Sequence, residues 1–216
     1  MTWSAGDHMI AREGVKRVTD LKGKTVTTLG FQDTTYYALL GMLAKVGLNK
    51  NDINAQAAGP ANVWKLFIAG KADAMAAVPD WIAIAQGSGV KVNIFPADDY
   101  FKSMAQAILV SDTTIRERPE LVRKLVRATL RGLKVVMDDP EAASVEYVKA
   151  IPQHKGKEKA MEHTFRLYNK YVYPGQKVLG KMNSERLESL QKFYVDQGIL
   201  RRALPLSDLY TNQFVE

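Results

Sequence analysis

The sequence predicts an α/β protein in which a parallel sheet occupies the first half and helices occupy the second. Two observations carry this prediction. Between residues 20 and 100, short apolar or β-branched segments alternate with segments of helical periodicity, which is typical of β-α-β units with right-handed crossovers. From residue 114 onward, apolar residues recur at helical spacing almost without interruption, which predicts a series of helices.

Length and composition are those of an ordinary globular protein. The 216 residues, 46% of them hydrophobic, suffice for one large domain or two small ones. No apolar run approaches the ~20 residues that a membrane-spanning helix needs, and the start of the sequence shows no signal peptide. Cysteine is absent, which excludes disulfides, thiolate catalysis and cysteine-based metal sites.

The net charge is +7, and most of the excess lies in the helical half. Residues 111–216 contain 19 Lys and Arg against 14 Asp and Glu, whereas residues 1–110 contain 11 against 9. Solvated helix faces explain this excess best, and steering of an anionic ligand is the alternative. No nucleic-acid partner is expected, because the basic residues do not cluster with aromatic ones as a single-strand binding groove requires.

The first half contains the predicted sheet. β-branched and apolar residues at 25–29 predict its first strand, and leucines three and four positions apart predict a helix over 35–46. Residues 1–19 are weakly patterned and carry no predicted element. The remaining elements are a strand at 53–57, a helix between Val63 and Gly70, a strand at 72–78, a short helix capped by Asp80, and a strand at 90–95.

The second half begins with an apolar segment at 105–110, which we expect to be a further strand. Residues 204–216 predict an extended or short-helical tail. Between these two segments the helical stripes and their proline and glycine boundaries predict helices at 119–137, 140–150, 157–169 and 184–197.

Three loops follow strands that the pattern predicts to be parallel. Because the carboxyl ends of parallel strands meet at one edge of a sheet, and ligands bind at that edge in open α/β folds, we expect the loops to line one site. They offer backbone N–H groups, hydroxyls, amides, carboxylates and aromatic rings, the mixture that small-molecule pockets use. The candidate ligand-binding residues are Gly30, Phe31, Gln32, Asp33, Thr34, Thr35, Tyr36, Gly59, Pro60, Ala61, Asn62, Pro79, Asp80 and Trp81.

Ordinary structural roles compete with ligand binding at several of these positions. Asp33 and Asp80 can act as helix N-caps, and Trp81 can belong to the core. Against this, the amino end of the helix that follows Gly30 carries free N–H groups, which favour an anion or a polar acceptor. The convergence of three loops is a stronger signal than any single residue.

Signatures of catalysis and of cofactor binding are absent from the sequence. The three histidines, His8, His154 and His163, lack the spacing of metal ligands. There is no Gly-x-Ser-x-Gly elbow, no P-loop and no dinucleotide-binding glycine motif. The acidic pairs at 98–99 and 138–139 lie at turns, where capping explains them. The sequence therefore predicts no catalytic residue, no metal site and no cofactor.

Five segments resemble, in the right order, motifs of one protein family. The first is 20–26 (Asp-Leu-Lys-Gly-Lys-Thr-Val), and the others are 66–74, 108–111, 118–124 and 190–198. These motifs are similar to those of periplasmic solute-binding proteins of ABC importers for nitrate, sulfonates, taurine and bicarbonate. Relatives that bind thiamine pyrimidine precursors belong to the same group. The resemblance covers nearly all of residues 15–216.

The resemblance implies a type II periplasmic-binding-protein-like fold, with a lead-in at 1–19, a second lobe at 20–100, and the returning strand and C-terminal helices of the first lobe at 101–216. The N-terminal segment of the first lobe has no counterpart in the sequence, which leaves gene truncation, proteolysis or a shortened variant open. The resemblance further implies a periplasmic or cell-surface location, ABC permease subunits as partners, and a small organic or inorganic anion held between two lobes. Gln106, near the crossing between lobes, becomes a further candidate for ligand binding.

Two other functions remain as alternatives. An enzyme on the same scaffold, resembling the pyrimidine synthases of thiamine biosynthesis, is the first alternative. It is disfavoured because those enzymes carry a cysteine-rich motif and this sequence contains no cysteine. A ligand-sensing or interaction module that has lost transport is the second alternative. Homodimerisation through the incomplete lobe stays open, and the identity of the ligand is not given by the sequence.

Overall fold

The computed structural model describes residues 7–102, 104 and 106–215. These residues form two units, and the boundary between the units lies between residues 104 and 106. In the described residues, no helix has the length and apolar character that crossing a membrane requires.

The first unit contains a sheet and three helices. Its strands are β1 (His8–Arg12), β2 (Thr25–Thr28), β3 (Asn54–Ala57), β4 (Ala74–Ala77) and β5 (Val92–Pro96). Its helices are α1 (Thr34–Lys45), α2 (Val63–Ile68) and α3 (Pro79–Gly87). Apart from β1, each of these elements lies where the sequence pattern predicts it.

The sheet is mixed, with the strand order β3-β2-β4-β1-β5. β2 is parallel to β3 and to β4, whereas β1 is antiparallel to both β4 and β5. The expectation of a wholly parallel sheet was therefore wrong, as was the absence of any predicted element in 1–19. The cause is burial: Met9, Ile10 and Ala11 are fully buried, and a strand buried on both faces lacks the polar–apolar alternation that identifies strands in a sequence. Residues 1–6 of the predicted lead-in lie outside the described part.

The two faces of the sheet carry separate sets of helices. Met9, Val26 and Ala76 pack on the side of α1, in one cluster with its buried Leu39 and Leu43. On the opposite face the Thr27 hydroxyl donates to the carbonyl of Val63, at the start of α2, over 2.9 Å. Each fully buried leucine contributes roughly 1.5–3 kcal/mol through the hydrophobic effect, so α1 supplies much of the free energy that holds this unit together.

α1 also requires a glycine where the chain approaches it closely. A Cβ atom on Gly41 would lie 2.7 Å from the ring of Phe101, closer than carbon atoms can pack. Phe101 follows the short turn after β5, and its backbone N–H donates to the carbonyl of Ala97 over 2.8 Å. Gly41 therefore lets the end of the first unit pack onto α1.

The second unit is helical. Its helices are α4 (Asp112–Glu117), α5 (Pro119–Asp138), α6 (Pro140–Ala150), α7 (Glu158–Tyr171) and α8 (Ser184–Asp196). The four longer ones match the predicted helices, and α4 was not predicted. Val122 and Val126 of α5 are buried against Phe214, and Ile108 and Val110 pack at the edge of this cluster.

The strand predicted at 105–110 is not formed. Residue 105 lies outside the described residues, and 106–110 belong to no helix or strand. An apolar segment becomes a strand only when a neighbouring strand accepts its hydrogen bonds, and the strands of the described residues all belong to the sheet of the first unit. The apolar side chains of 108 and 110 are used for packing instead.

Candidate functional site

The three loops that the sequence singled out leave the sheet at the same edge. They follow β2, β3 and β4, and these three strands are parallel neighbours. The second loop is tied to the end of β2, because the backbone N–H groups of Ala58 and Gly59 donate to the carbonyls of Thr28 and Leu29 over 2.9 and 3.0 Å. We call this edge, with the loops 29–33 and 58–62 and the starts of α1 and α3, the loop edge.

The first loop ends in a helix cap. Asp33 is the N-cap of α1, and its carboxylate accepts from the backbone N–H of Thr35 over 2.9 Å and from the Thr35 hydroxyl. Thr35 is buried, and its hydroxyl oxygen lies 3.5 Å from that of Thr28. A carboxylate of the protein therefore already takes a free N–H group at the start of α1, which lowers the attraction of this helix end for an external anion.

A buried carboxyl group that the sequence did not reveal lies beneath this cap. Asp7 is only 4% exposed, and its carboxylate accepts from the Thr34 hydroxyl over 3.5 Å. Burial raises the pKa of Asp7 to about 7, and repulsion from the Asp33 carboxylate adds to the rise, while the hydrogen bond from Thr34 opposes it.

Strand direction explains how Asp7 reaches the loop edge. Because β1 is antiparallel to β4, the start of β1 lies beside the end of β4, with His8 opposite Ala77. The Asp7 carbonyl accepts from the backbone N–H of Ala97 over 3.2 Å, which fixes the residue at that edge. The sequence carried no signal for Asp7, because recognising it requires knowing that β1 exists and which way it runs.

An exposed aromatic ring stands beside the cap. Phe31 is 50% exposed, and its ring centroid lies 5.0 Å from that of Tyr36 at an angle of 59°. Tyr36 itself is buried, and burial raises the pKa of its phenol, with a smaller contribution from Tyr37. Phe31 is thus held by a buried tyrosine and keeps part of its ring surface for a ligand.

The other two loops contribute mainly polar and backbone groups. Pro60, Ala61 and Asn62 are exposed, and the Asn62 side chain makes no capping hydrogen bond to α2. Exposure at the start of α3 differs from residue to residue: Pro79 is buried, Asp80 is exposed and Trp81 is half-buried.

One detail of the predicted site changes. Asp80 does not cap its helix, because α3 begins at Pro79 and its N-cap is Val78, so Asp80 lies inside the first turn. Proline at the first helical position loses no hydrogen bond there and fixes the backbone for the helix. Gln106 belongs to the second unit, where its side chain is exposed.

The local charge at the loop edge is opposite to that of the whole chain. The negative charge comes from Asp33 and Asp80, because buried Asp7 keeps its proton to about pH 7, and the segments 29–36, 58–62 and 78–81 contain no lysine or arginine. Carboxylate and carbonyl oxygens accept hydrogen bonds, so the edge suits a ligand with N–H or O–H donors. In the part of the chain that the structure describes, no group of three or more His, Asp or Glu side chains is placed to hold a metal ion.

Comparison with known proteins identifies relatives of this chain. The NMT1/THI5 like family matches residues 7–143, which is more than half of the sequence. The riboflavin-binding protein RibY of Chloroflexus aurantiacus is 29% identical over 210 residues, which cover 92% of this chain and 58% of RibY. This chain therefore spans about three fifths of the length of that relative.

Solved structures show the same fold at lower identity. The alkanesulfonate-binding protein SsuA of Xanthomonas axonopodis pv. citri superposes with a TM-score of 0.65 at 17% identity, over 93% of this chain and 68% of that one. The aliphatic sulphonate binding protein SsuA of Escherichia coli gives 0.60 at 18% identity, over 91% and 62%. The desulfurization enzyme DSZB also shares the fold, with a TM-score of 0.54 at 12% identity, over 99% and 75%. The fold is therefore that of periplasmic binding proteins, and an enzyme also uses it.

Proposed function

The chain belongs to the NMT1/THI5 like family, and we propose that it holds a small solute for an ABC importer without transforming it. The observation that carries the proposal is the loop edge, where the exposed ring of Phe31 adjoins a group of hydrogen-bond acceptors. Its relative RibY is by name a riboflavin-binding protein. On this proposal the chain acts at a cell surface or in the periplasm, together with permease subunits.

The ligand that suits the loop edge best is planar, polar and without negative charge. A flat ring can stack on the exposed surface of Phe31, and aromatic pairs of this kind contribute about 0.5–1.5 kcal/mol beyond the area they bury. Donor groups on the ring would reach the Asp33 carboxylate or the exposed amides of Gln32 and Asn62. A flavin or a similar heteroaromatic solute has this combination of a flat ring and N–H groups.

A small anion is the second candidate for the same site. The SsuA proteins bind sulfonates by name, and the amino end of α1 lies at the loop edge. The nearby carboxylates act against an anion, because like charges at short range repel. We therefore expect an uncharged ring to bind more tightly than an alkanesulfonate.

A catalytic role finds little support in the residues of the loop edge. The segments 29–36, 58–62 and 78–81 contain no serine, cysteine, histidine or lysine. The Thr35 hydroxyl is next to a carboxylate but is buried in the cap of α1. The carboxylates of the loop edge could accept a proton, but no accessible serine, cysteine, histidine or lysine of these segments stands beside them as a nucleophile.

Isothermal titration with riboflavin and with octanesulfonate tests the proposal. We expect saturable binding of riboflavin, and about tenfold weaker binding by Phe31→Ala, because the stacking surface is removed. Ile84→Ala is the matched control, since Ile84 is also an exposed apolar residue of the first unit but lies in the later part of α3. Binding of octanesulfonate alone would favour the anion candidate, and no binding of either compound would contradict the proposal.

A further inference from the structure

A row of basic side chains lies along one side of α5. Arg123, Arg127, Arg131 and Lys134 are spaced four, four and three positions apart, so they follow the same side of the helix. All four line one cleft within the second unit, which is separate from the loop edge of the first. We call it the basic cleft.

Only the two ends of this row are neutralised. Arg123 pairs with Glu120 over 3.2 Å and lies over the ring of Phe214, with 5.7 Å between guanidinium carbon and ring centroid. Lys134 pairs with Asp138 over 2.8 Å. Arg127 and Arg131, in the middle, make no hydrogen bond or ion pair with any residue that the structure describes.

The two central arginines therefore concentrate positive charge without compensation. They are one helical turn apart, and like charges at this spacing destabilise a helix by about 0.2–0.5 kcal/mol. An oxyanion bound between them would remove this repulsion. One guanidinium group donates two parallel hydrogen bonds to two oxygens of a phosphate or sulfonate, which makes such a contact strong and fixes its orientation.

The bottom of the cleft is apolar and large enough for a small molecule. Its volume is about 300 Å³, and Leu130, Val178, Leu179 and Phe214 line it beside the basic row. Val178 is 46% exposed, so part of its side chain is accessible to a ligand in the cleft. Ligand pockets commonly begin at about this volume and combine apolar walls with a few polar groups.

The wall that carries Val178 is built by specific contacts. Gln176 binds the chain at both ends of this turn: its amide nitrogen donates to the Tyr173 carbonyl over 3.2 Å, and its amide oxygen accepts from the Gly180 N–H over 2.9 Å. Gly180 has a φ of 83°, and a Cβ atom there would lie 2.5 Å from a methyl group of Leu130. The turn is thus fixed against α5 and forms a defined side of the cleft.

We propose that the basic cleft binds an organic oxyanion with a short apolar body, of the phosphate-monoester type. The anionic group lies between Arg127 and Arg131, and the apolar part lies against Leu130 and Val178. Such a group occurs on free metabolites and on lipid headgroups, and both share this chemistry. This site is independent of the solute site at the loop edge.

Titration with hexyl phosphate tests the proposal on the full chain. We expect saturable binding of one molecule, at least about tenfold tighter than inorganic phosphate, because the alkyl chain is removed from water. The double variant Arg127→Gln/Arg131→Gln should lose at least about tenfold in affinity. Arg201→Gln/Arg202→Gln is the matched control, because these adjacent arginines are exposed in the same unit and do not line the cleft.

A second variant separates the apolar part of the site from its charge. Val178→Ser should weaken hexyl phosphate and leave inorganic phosphate unchanged, because it alters only the apolar side of the cleft. Circular dichroism confirms that each variant is folded. Absence of saturable binding of hexyl phosphate, or an equal loss in the Arg201/Arg202 control, would overturn the proposal.

Vesicles distinguish the two sources of the anion. If hexyl phosphate displaces the chain from vesicles that contain phosphatidic acid, whose headgroup is a phosphate monoester, the cleft takes a lipid headgroup. If hexyl phosphate binds and the chain does not bind those vesicles, the ligand is a free molecule. Both results support the cleft, whereas binding to vesicles that hexyl phosphate does not reverse would overturn the assignment of a lipid headgroup to the cleft, because a general surface attraction would then suffice.

Discussion

The loop edge of the first unit and the basic cleft of the second both offer an apolar surface, but they differ in charge and in hydrogen-bonding character. The loop edge carries three aspartates, no cation in its loops, and the exposed ring of Phe31. The basic cleft carries four cations beside an apolar surface. A ligand that suits one of them is poorly suited to the other, since charge and hydrogen-bonding character are reversed.

This difference shows that the net charge of a chain is a poor guide to its binding sites. The excess of +7 belongs largely to residues 111–216, and it says nothing about the edge of the sheet. The anion expected from the family resemblance fits the electrostatics of the basic cleft better than those of the loop edge.

The largest expected effect concerns the buried carboxyl group at the loop edge. Asp7 keeps its proton to about pH 7 in the folded chain, whereas an ordinary aspartate loses it near 3.8. The folded state therefore binds more protons at this group between these values, and the contribution of Asp7 to the free energy of unfolding falls by about 4 kcal/mol as pH rises through this window. Asp7→Asn removes this dependence, because asparagine stays uncharged and can still accept from Thr34.

Urea unfolding of the wild type and of Asp7→Asn at several pH values measures this effect. Groups common to both proteins cancel in the difference between the two curves. The variant should be the more stable protein above pH 7, and the two should converge towards pH 4. A difference that does not change with pH would contradict the burial of a titrating carboxyl group at the loop edge.

The second effect concerns the wall of the basic cleft. Gly180→Ala should destabilise the chain by about 1–3 kcal/mol, because alanine is strained at a φ of 83° and its Cβ atom collides with Leu130. It should also weaken hexyl phosphate by shifting that wall. Gly132→Ala is the control: Gly132 lies in α5 with open space around it, and alanine there should stabilise by about 0.5–1 kcal/mol. Thermal unfolding of both variants checks the pair.

A smaller effect should appear in the coupling between the two carboxyl groups. Asp33→Asn keeps a good N-cap on α1 but removes the charge that helps to raise the pKa of Asp7. That pKa should fall and yet stay above 3.8, because burial is its main cause. Carbon-detected NMR of the Asp7 carboxyl measures it, and Asp80→Asn serves as the control. An unchanged pKa in Asp33→Asn would show that the two groups are not close.

The smallest effect should come from neutralising the centre of the basic cleft in the absence of ligand. Arg127→Gln/Arg131→Gln should change the free energy of unfolding by only a few tenths of a kcal/mol, in the stabilising direction, because a repulsion is removed. Urea unfolding at low and high salt checks the sign, and the gain should shrink with salt. A large loss of stability would mean that these arginines serve the fold.

Most of the fold could be predicted because its signals are local. Helices α1 and α5 show apolar residues at helical spacing with proline, glycine or aspartate at their boundaries, and β2 is a β-branched segment between turns. The edge position of three candidate loops followed from the alternation of strands and helices. Whether their residues bind a ligand stays a prediction.

The features that could not be predicted depend on contacts distant in sequence. β1 lacks a polar–apolar pattern because both of its faces are buried, and its antiparallel direction brings Asp7 to the loop edge. Residues 106–110 look like a strand but have no strand beside them in the described chain. The basic cleft requires a turn at 173–180 to pack on α5, and no periodicity in the sequence predicts such a contact.

Fluorescence titration of riboflavin tests the central claim most directly, because stacking on an aromatic ring quenches flavin emission. We expect saturable quenching by the wild type, at least about tenfold weaker binding by Phe31→Ala, and unchanged binding by Arg127→Gln/Arg131→Gln. Absence of quenching by the wild type would contradict a flavin-like ligand, and loss of quenching in the arginine variant with retention in Phe31→Ala would contradict the assignment of the solute site to the loop edge.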